Sequence, residues 1–214
     1  MISVVIADDH EVVRSGFKLI LEKNPDIKVV GEAAEGTQAY ALVARERPDI
    51  LLLDISMPPG QSGLIACEEI SRDFPDTKIL IVTMYAEPEY LYFTLRGGAS
   101  GYLLKNASTA EMHEAIDAVM AGETYVHPKM ADILKDYLSE NGKEELTALQ
   151  LLTTRELEIL QLLAKGYTNK EISEKVYLSV KTIESHRAKI YSKLGLKSRA
   201  DLVDFALKHK LLNV

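Results

Sequence analysis

The chain has 214 residues, 47% of them hydrophobic and 27% charged, the balance of an ordinary soluble globular protein with room for one large domain or two small ones. Its apolar runs fall far short of the ~20 residues that span a bilayer, its first residues lack the layout of a secretion signal, and the single Cys67 excludes an intrachain disulfide and fits the reducing cytoplasm. The net charge of −7 divides unevenly: residues 147–214 carry 12 Lys and Arg against 7 Asp and Glu, while residues 1–146 are strongly acidic, so only the tail suggests a polyanionic partner.

Residues 1–121 alternate short apolar runs with amphipathic stretches. Strands are expected near 2–7, 27–31, 50–53, 78–82 and 101–104, and helices near 10–23, 36–46, 62–73, 87–96 and 108–121. Five strand–helix repeats imply right-handed crossovers and a parallel sheet covered on both faces. The strands lack polar alternation, as double coverage requires. Cys67 falls in the helical stretch Leu64 to Ile70 and reads as a small packed hydrophobe.

Four of these runs deliver a polar residue at the C-terminal end. The first ends in Asp8-Asp9, the third in Asp54, the fourth in Thr83 and the fifth in Lys105. Parallel strands bring such ends to one edge, where open α/β folds place their sites. Asp54 is then a candidate nucleophile toward a phosphoryl donor, Asp8 and Asp9 can help hold Mg²⁺, Lys105 can neutralise phosphoryl charge, and Thr83 can donate a hydroxyl. Each residue alone reads more readily as a cap or a solvated end. Their shared position is what carries the reading.

Beyond Gly122 the pattern changes. One lone helix is expected over Met130–Leu138, followed by a polar stretch, 139–145, expected to be mobile. Residues 1–121 therefore form the first domain, 122–150 a linker with one helix, and 151–214 a second, all-helical domain. In the tail, Thr153 with Glu156 and Thr168 with Glu171 spell capping boxes, Ser179 and Ser198 cap two further helices, and Gly166 and Gly195 end the first and third. The short joint Val176-Tyr177-Leu178 between the second and third helices matches a helix-turn-helix. Its core is expected from Ile159, Leu162, Leu163, Ile172, Val176, Val180, Ile183, Ile190 and Leu194.

The strings Ile6-Ala7-Asp8-Asp9-His10, Leu53-Asp54-Ile55-Ser56-Met57-Pro58, Val82-Thr83 and Gly98 to Lys105 resemble the receiver domains of two-component response regulators over nearly all of residues 1–121. The resemblance implies a flavodoxin-like five-stranded parallel sheet of order 2-1-3-4-5, the order of single-domain receivers. It also implies phosphorylation of Asp54 by a sensor histidine kinase. Mg²⁺ would be bound by Asp9, Asp54 and the Ser56 carbonyl, with Asp8 acting mainly through water. Thr83 and Tyr102 would form a switch pair, the Tyr102 ring turning inward behind Thr83. One departure stands out: receivers usually place Gly eight positions after the acceptor, and here Gly63 stands nine after Asp54, so the loop looks one residue longer.

The strings Leu152 to Leu160, Gly166 to Ile172, Ser179 to His186 and Lys193-Leu194-Gly195 resemble the LuxR-type helix-turn-helix of NarL/FixJ regulators. The third tail helix would then lie in a major groove. By resemblance Glu184, Ser185 and Ala188 fall where the family reads bases, and Lys181, Thr182, His186, Lys189 and Lys193 fall near phosphates. Glu184 can accept from a cytosine amino group or pair with a neighbouring Lys, two readings of equal weight. Leu202, Val203, Phe205 and Ala206 of the last helix would be dimer contacts in this family, or would close the four-helix core. A homodimer formed on phosphorylation would match an inverted-repeat operator in double-stranded DNA. The loop from Met57 to Ala66 looks like the NreC branch, which responds to oxygen and nitrate.

Two rival functions share part of this pattern. Haloacid-dehalogenase phosphatases also use a strand-borne Asp with Mg²⁺, but carry a second Asp two residues on, where this chain has Ser56. A constitutive DNA-binding protein with an unused receiver is at odds with the complete acid pocket. The expectation is a cytoplasmic regulator that is not an enzyme and whose only turnover is slow self-dephosphorylation of Asp54.

Overall fold

The structure, a computed structural model, describes residues 1–58, 60–139, 148–209 and 211–212, for 136–139 the backbone alone. Residues 140–145 of the polar stretch expected to be mobile lie outside the described residues. The chain divides into two compact units, Met1–Ile133 and Leu134–Val214.

In the first unit β1 (Ile2–Ala7), β2 (Ile27–Ala33), β3 (Ile50–Leu53), β4 (Lys78–Thr83) and β5 (Gly101–Leu104) alternate with α1 (Glu11–Leu21), α2 (Gly36–Glu46), α3 (Gly63–Asp73), α4 (Pro88–Arg96) and α5 (Thr109–Met120). The sheet is parallel throughout, in the order β2-β1-β3-β4-β5-β6. The expected five-strand order is present, and β6 (Tyr125–Val126) adds a sixth strand at its edge. Tyr125 N donates to Ser100 O at 3.1 Å and His127 N to Tyr102 O at 2.9 Å. Two residues are too few to make a readable apolar run, which is why the sequence did not announce this strand.

Every residue of β3 is buried, as a central strand covered on both faces must be. One face packs Val4, Ile6, Ile50, Leu52, Leu80, Val82 and Leu103 against Met112, Ile116 and Val119 of α5 and Leu21 of α1. The ladder registers align the strand ends, with Ala7 opposite Leu53, Leu53 opposite Ile81 and Thr83 opposite Leu104. The next residues continue the ladder, Asp54 N donating to Ala7 O and Lys105 N to Thr83 O. Hydrophobic registry on the inside thus fixes where the polar ends meet.

The lone helix α6 (Pro128–Ser139) crosses the division between the units. The second unit contains α7 (Thr154–Ala164), α8 (Asn169–Lys175), α9 (Val180–Leu194) and α10 (Arg199–Lys208). Thr153, Thr168 and Ser198 each form a reciprocal capping box, with Glu156, Glu171 and Asp201, and Ser179 caps α9 through Thr182 N. Gly195 ends α9 in the left-handed conformation (φ 67°), as the sequence predicts.

Ile159, Leu163, Ile172, Val176, Ile183 and Ile190 are buried as expected. Leu162 and Leu194 are only half-buried. Val180 is a correction: it is 40% exposed, because the first residue of α9 precedes the turn at which the helix meets its neighbours. Leu202 and Ala206 are a second correction. Both are fully buried inside their own unit, so they close the helical core and are not available as dimer contacts. Val203 and Phe205 are half-buried, with the Phe205 ring 4.2 Å from that of His209, and Leu207 is the large apolar residue that α10 exposes.

Candidate functional site

The polar strand ends converge. Lys105 Nζ lies 2.6 Å from Asp54 Oδ2 and 2.6 Å from Asp8 Oδ2, so one ammonium bridges two carboxylates from different strands. Asp54 Oδ1 accepts from Ile55 N at 2.7 Å, and Asp8 Oδ1 from His10 N at 2.9 Å. Arg14 of α1 reaches back to the Asp8 carbonyl at 2.7 Å, tying the start of that helix to the pocket. Asp8 and Asp54 are buried, and Asp9 stands at the rim.

Burial pushes the Asp54 carboxyl above the usual carboxylate range, although the Lys105 hydrogen bond and charge pull it down. Burial also works against the Lys105 ammonium, yet hydrogen bonds to Asp54 and then Asp8 outweigh it and raise its pKa. Lys105 is therefore firmly charged beside a carboxylate that is costly to hold ionised without it.

Asp8, Asp9 and His10 offer ligand atoms within 4.8 Å of one another. Asp9 Oδ1 is buried with no hydrogen bond of acceptable geometry, although His10 Nδ1 lies 2.7 Å away. A carboxylate oxygen without a hydrogen bond, grouped with the Asp8 carboxylate, fits a hard divalent cation such as Mg²⁺. His10, exposed at the mouth, was not among the residues singled out in the sequence. Its position next to Asp9 is the only cue there.

Gly63 explains part of the loop. Its N donates to Ile55 O at 2.9 Å, and a Cβ there would sit 1.8 Å from the Asp54 carbonyl oxygen, so no side chain fits. The longer loop is seated on α2 through Gly36 N and Gln61 O at 3.0 Å, and Gln61 Nε2 donates to Glu69 at 2.7 Å.

Thr83 and Tyr102 meet at Tyr85. The Thr83 hydroxyl accepts from Tyr85 N at 3.4 Å, and Tyr102 donates its hydroxyl to Tyr85 O at 2.8 Å. The Tyr102 ring is turned inward and fully buried, and burial pushes its phenol well above the ordinary range, so it stays a neutral donor. Burial pushes the Cys67 thiol up to about 12, in keeping with a packed hydrophobe.

In the second unit Lys181, Glu184, Ser185, Ala188 and Lys189 are exposed along α9, and Thr182 is half-buried. Lys193 is exposed too, with its Nζ 2.6 Å from Oε2 of the buried Glu156. His186 is half-buried with Nδ1 lacking a hydrogen-bond partner, and burial holds its pKa below the usual value. Among the described residues no helix is long and apolar enough to cross a membrane.

The family model described as "Response regulator receiver domain" matches residues 4–117, and that described as "Bacterial regulatory proteins, luxR family" matches residues 150–206. The chain is 50% identical over 214 residues to the oxygen regulatory protein NreC of Staphylococcus carnosus, covering 98% of this chain and 99% of that protein. RcsB from Salmonella enterica serovar Typhimurium, solved on promoter P1flhDC with the phosphomimetic BeF3⁻, aligns with a TM-score of 0.69 and 29% identity over 95% of this chain and 97% of its own. A structure of two RcsB dimers bound to two parallel DNAs aligns with a TM-score of 0.62 and 27% identity over 96% and 98% of the two chains.

Proposed function

The chain belongs to the response regulators that join a receiver domain to a LuxR-type DNA-binding domain, and from that membership we propose how its own residues work the switch. It is a phosphorylation-dependent transcriptional regulator of a two-component system. We take residues 1–121 as the receiver, 122–150 as the linker and 151–214 as the DNA-binding domain, with β6 the piece of linker that joins the receiver sheet.

Asp54 is the phosphoacceptor. A carboxylate oxygen attacks the phosphorus of a phosphohistidine on the partner kinase; the O–P bond forms as the N–P bond breaks, and the histidine keeps the electron pair. Lys105, held by two carboxylates, is the cation that follows the phosphoryl group. Asp9, Asp54 and the Ser56 carbonyl would hold Mg²⁺, with Asp8 acting through water, and the ion would supply further neutralisation of the phosphoryl oxygens. Thr83 presents its hydroxyl to the same oxygens, and Tyr102 fills the space behind it. The observation that carries this reading is the Lys105 ammonium bridging Asp54 and Asp8.

α9 reads operator DNA, with Glu184, Ser185 and Ala188 at base edges and Lys181, Thr182 and Lys189 at phosphates. Phosphorylation shifts the equilibrium toward a homodimer suited to an inverted repeat, a reading supported by the DNA-bound RcsB dimers. The likeness to oxygen regulatory proteins supports an oxygen-linked signal, delivered through the kinase. The test is fluorescence anisotropy on operator DNA with wild type and Asp54→Ala, each with and without acetyl phosphate. Wild type alone should gain affinity with the donor. Equal affinities throughout would remove Asp54 from the mechanism.

A further inference from the structure

A helix seated in a major groove about 12 Å wide runs between two phosphate backbones, so its base-reading stripe needs cations on both sides. At 3.6 residues per turn, Thr182, His186, Lys189 and Lys193 fall together on one flank of α9, and Arg187 and Tyr191 on the other. The first flank is poorer in free charge than its sequence suggests. Lys193 is exposed but paired with Glu156, and His186 is half-buried with a lowered pKa, which leaves Lys189 as that flank's exposed cation outside an ion pair among the described residues.

On the other flank a cavity of about 400 Å³ opens between α9 and the starts of α8 and α10, and its lining includes Asn169, Lys170, Arg187, Tyr191 and Arg199. Among the described residues no acidic side chain lines it. Arg187 stands over the Tyr191 ring at 5.4 Å, and the exposed Arg199 donates to the Leu163 carbonyl at 3.4 Å. A second cavity shares Asn169, Arg187 and Tyr191 and continues to Glu184 and Ala188. Through these shared residues the two make one trench, with Lys170, Arg187 and Arg199 in its lining and Glu184 and Ala188 of the base-reading stripe in its other part.

We propose that this trench is a phosphodiester track, in which Arg187, Lys170 and Arg199 grip the DNA backbone on the side of α9 facing α8. The proposal rests on α9 being the DNA-reading helix. Continuity with Glu184 and Ala188 identifies the occupant as the backbone of the duplex whose bases those residues face. Tyr191 holds the Arg187 guanidinium in place, and the bidentate fork geometry of two arginines suits phosphate oxygens.

The experiment is anisotropy of the full chain in acetyl phosphate and Mg²⁺, on a duplex selected from a random pool, over a series of salt concentrations. Arg187→Ala and Lys170→Ala both change exposed side chains, so thermal melts should match wild type. Each should weaken binding severalfold and flatten the salt slope by about one per protomer, with the ranking of duplexes unchanged. Wild-type affinity and slope in both variants would overturn the proposal. So would an altered ranking of duplexes, which would make Arg187 a base reader. Failure of the wild-type chain to bind any duplex is a separate outcome, and it would remove the DNA-reading role of α9 itself.

Discussion

The ammonium of Lys193, near the end of α9, stands 2.6 Å from Oε2 of the buried Glu156 in the first turn of α7. The same oxygen accepts from Thr153 N at 2.8 Å, so one carboxylate caps one helix and fastens another. Burial alone would raise the Glu156 pKa, but the Lys193 and Thr153 hydrogen bonds outweigh it and hold it below the ordinary glutamate value. A depressed acid stabilises the fold above its unfolded pKa, and that contribution is lost as pH falls through the folded value. Glu156→Gln should therefore cost the second unit about 2 kcal/mol at pH 7. The gap from wild type should narrow below the ordinary glutamate range. Amide exchange across α7 and α9 at two pH values would measure it.

Asp54 titrates with the opposite sign. Its carboxyl is raised by burial, so the native state favours the protonated form, and stability present below the unfolded pKa is lost as pH rises through the folded one. In metal-free buffer Asp54→Asn should make the first unit more stable than wild type at neutral pH. The advantage should vanish below the ordinary aspartate range. Urea melts at pH 7 and pH 3 would check both halves of the statement.

Leu202 and Leu207 share α10 but not an environment, the first fully buried and the second 50% exposed. Leu202→Ala should destabilise the second unit by about 2–5 kcal/mol through the cavity it leaves. Leu207→Ala should stay within about 0.5 kcal/mol. If Leu202→Ala kept full stability and abolished only dimerisation in a sedimentation experiment, the core assignment would be wrong.

Tyr177 sits in the turn between α8 and α9 at φ 53°, with 70% of its surface exposed. A side chain in this left-handed conformation is strained, and so exposed a ring offsets little of that by packing. Tyr177→Gly should raise the stability of the second unit by up to about 1 kcal/mol. Tyr177→Val should lower it by a similar amount, about 1 kcal/mol, since a branched Cβ fits that region worse. Thermal melts of the two variants should bracket wild type.

The pocket was legible because its members stand at the ends of apolar runs, and strand periodicity fixes where such ends lie. Asp8, Asp54, Thr83 and Lys105 could be placed together before any distance was known. The helix caps were equally plain, since Thr153-Glu156 and Thr168-Glu171 are local patterns. What escaped were relationships set by tertiary packing. Lys193 looks like a groove cation in a linear string, and its attachment to Glu156 depends on how α9 crosses α7. Leu202 and Ala206 looked equally suited to a core or an interface, and only the closing of the helices around them decides. Arg187 carried no motif of its own, and its place beside Arg199 spans residues brought together by α10.

The sixth strand fastens the start of the linker to the strand that carries Tyr102, through the bond from His127 N to the Tyr102 carbonyl. The same His127 carbonyl accepts from Met130 N and Ala131 N, where α6 begins. The chain beyond Val126 is thus anchored on the margin of β5 and not on α5 alone. The tether leaves the receiver beside the ring proposed above as its switch.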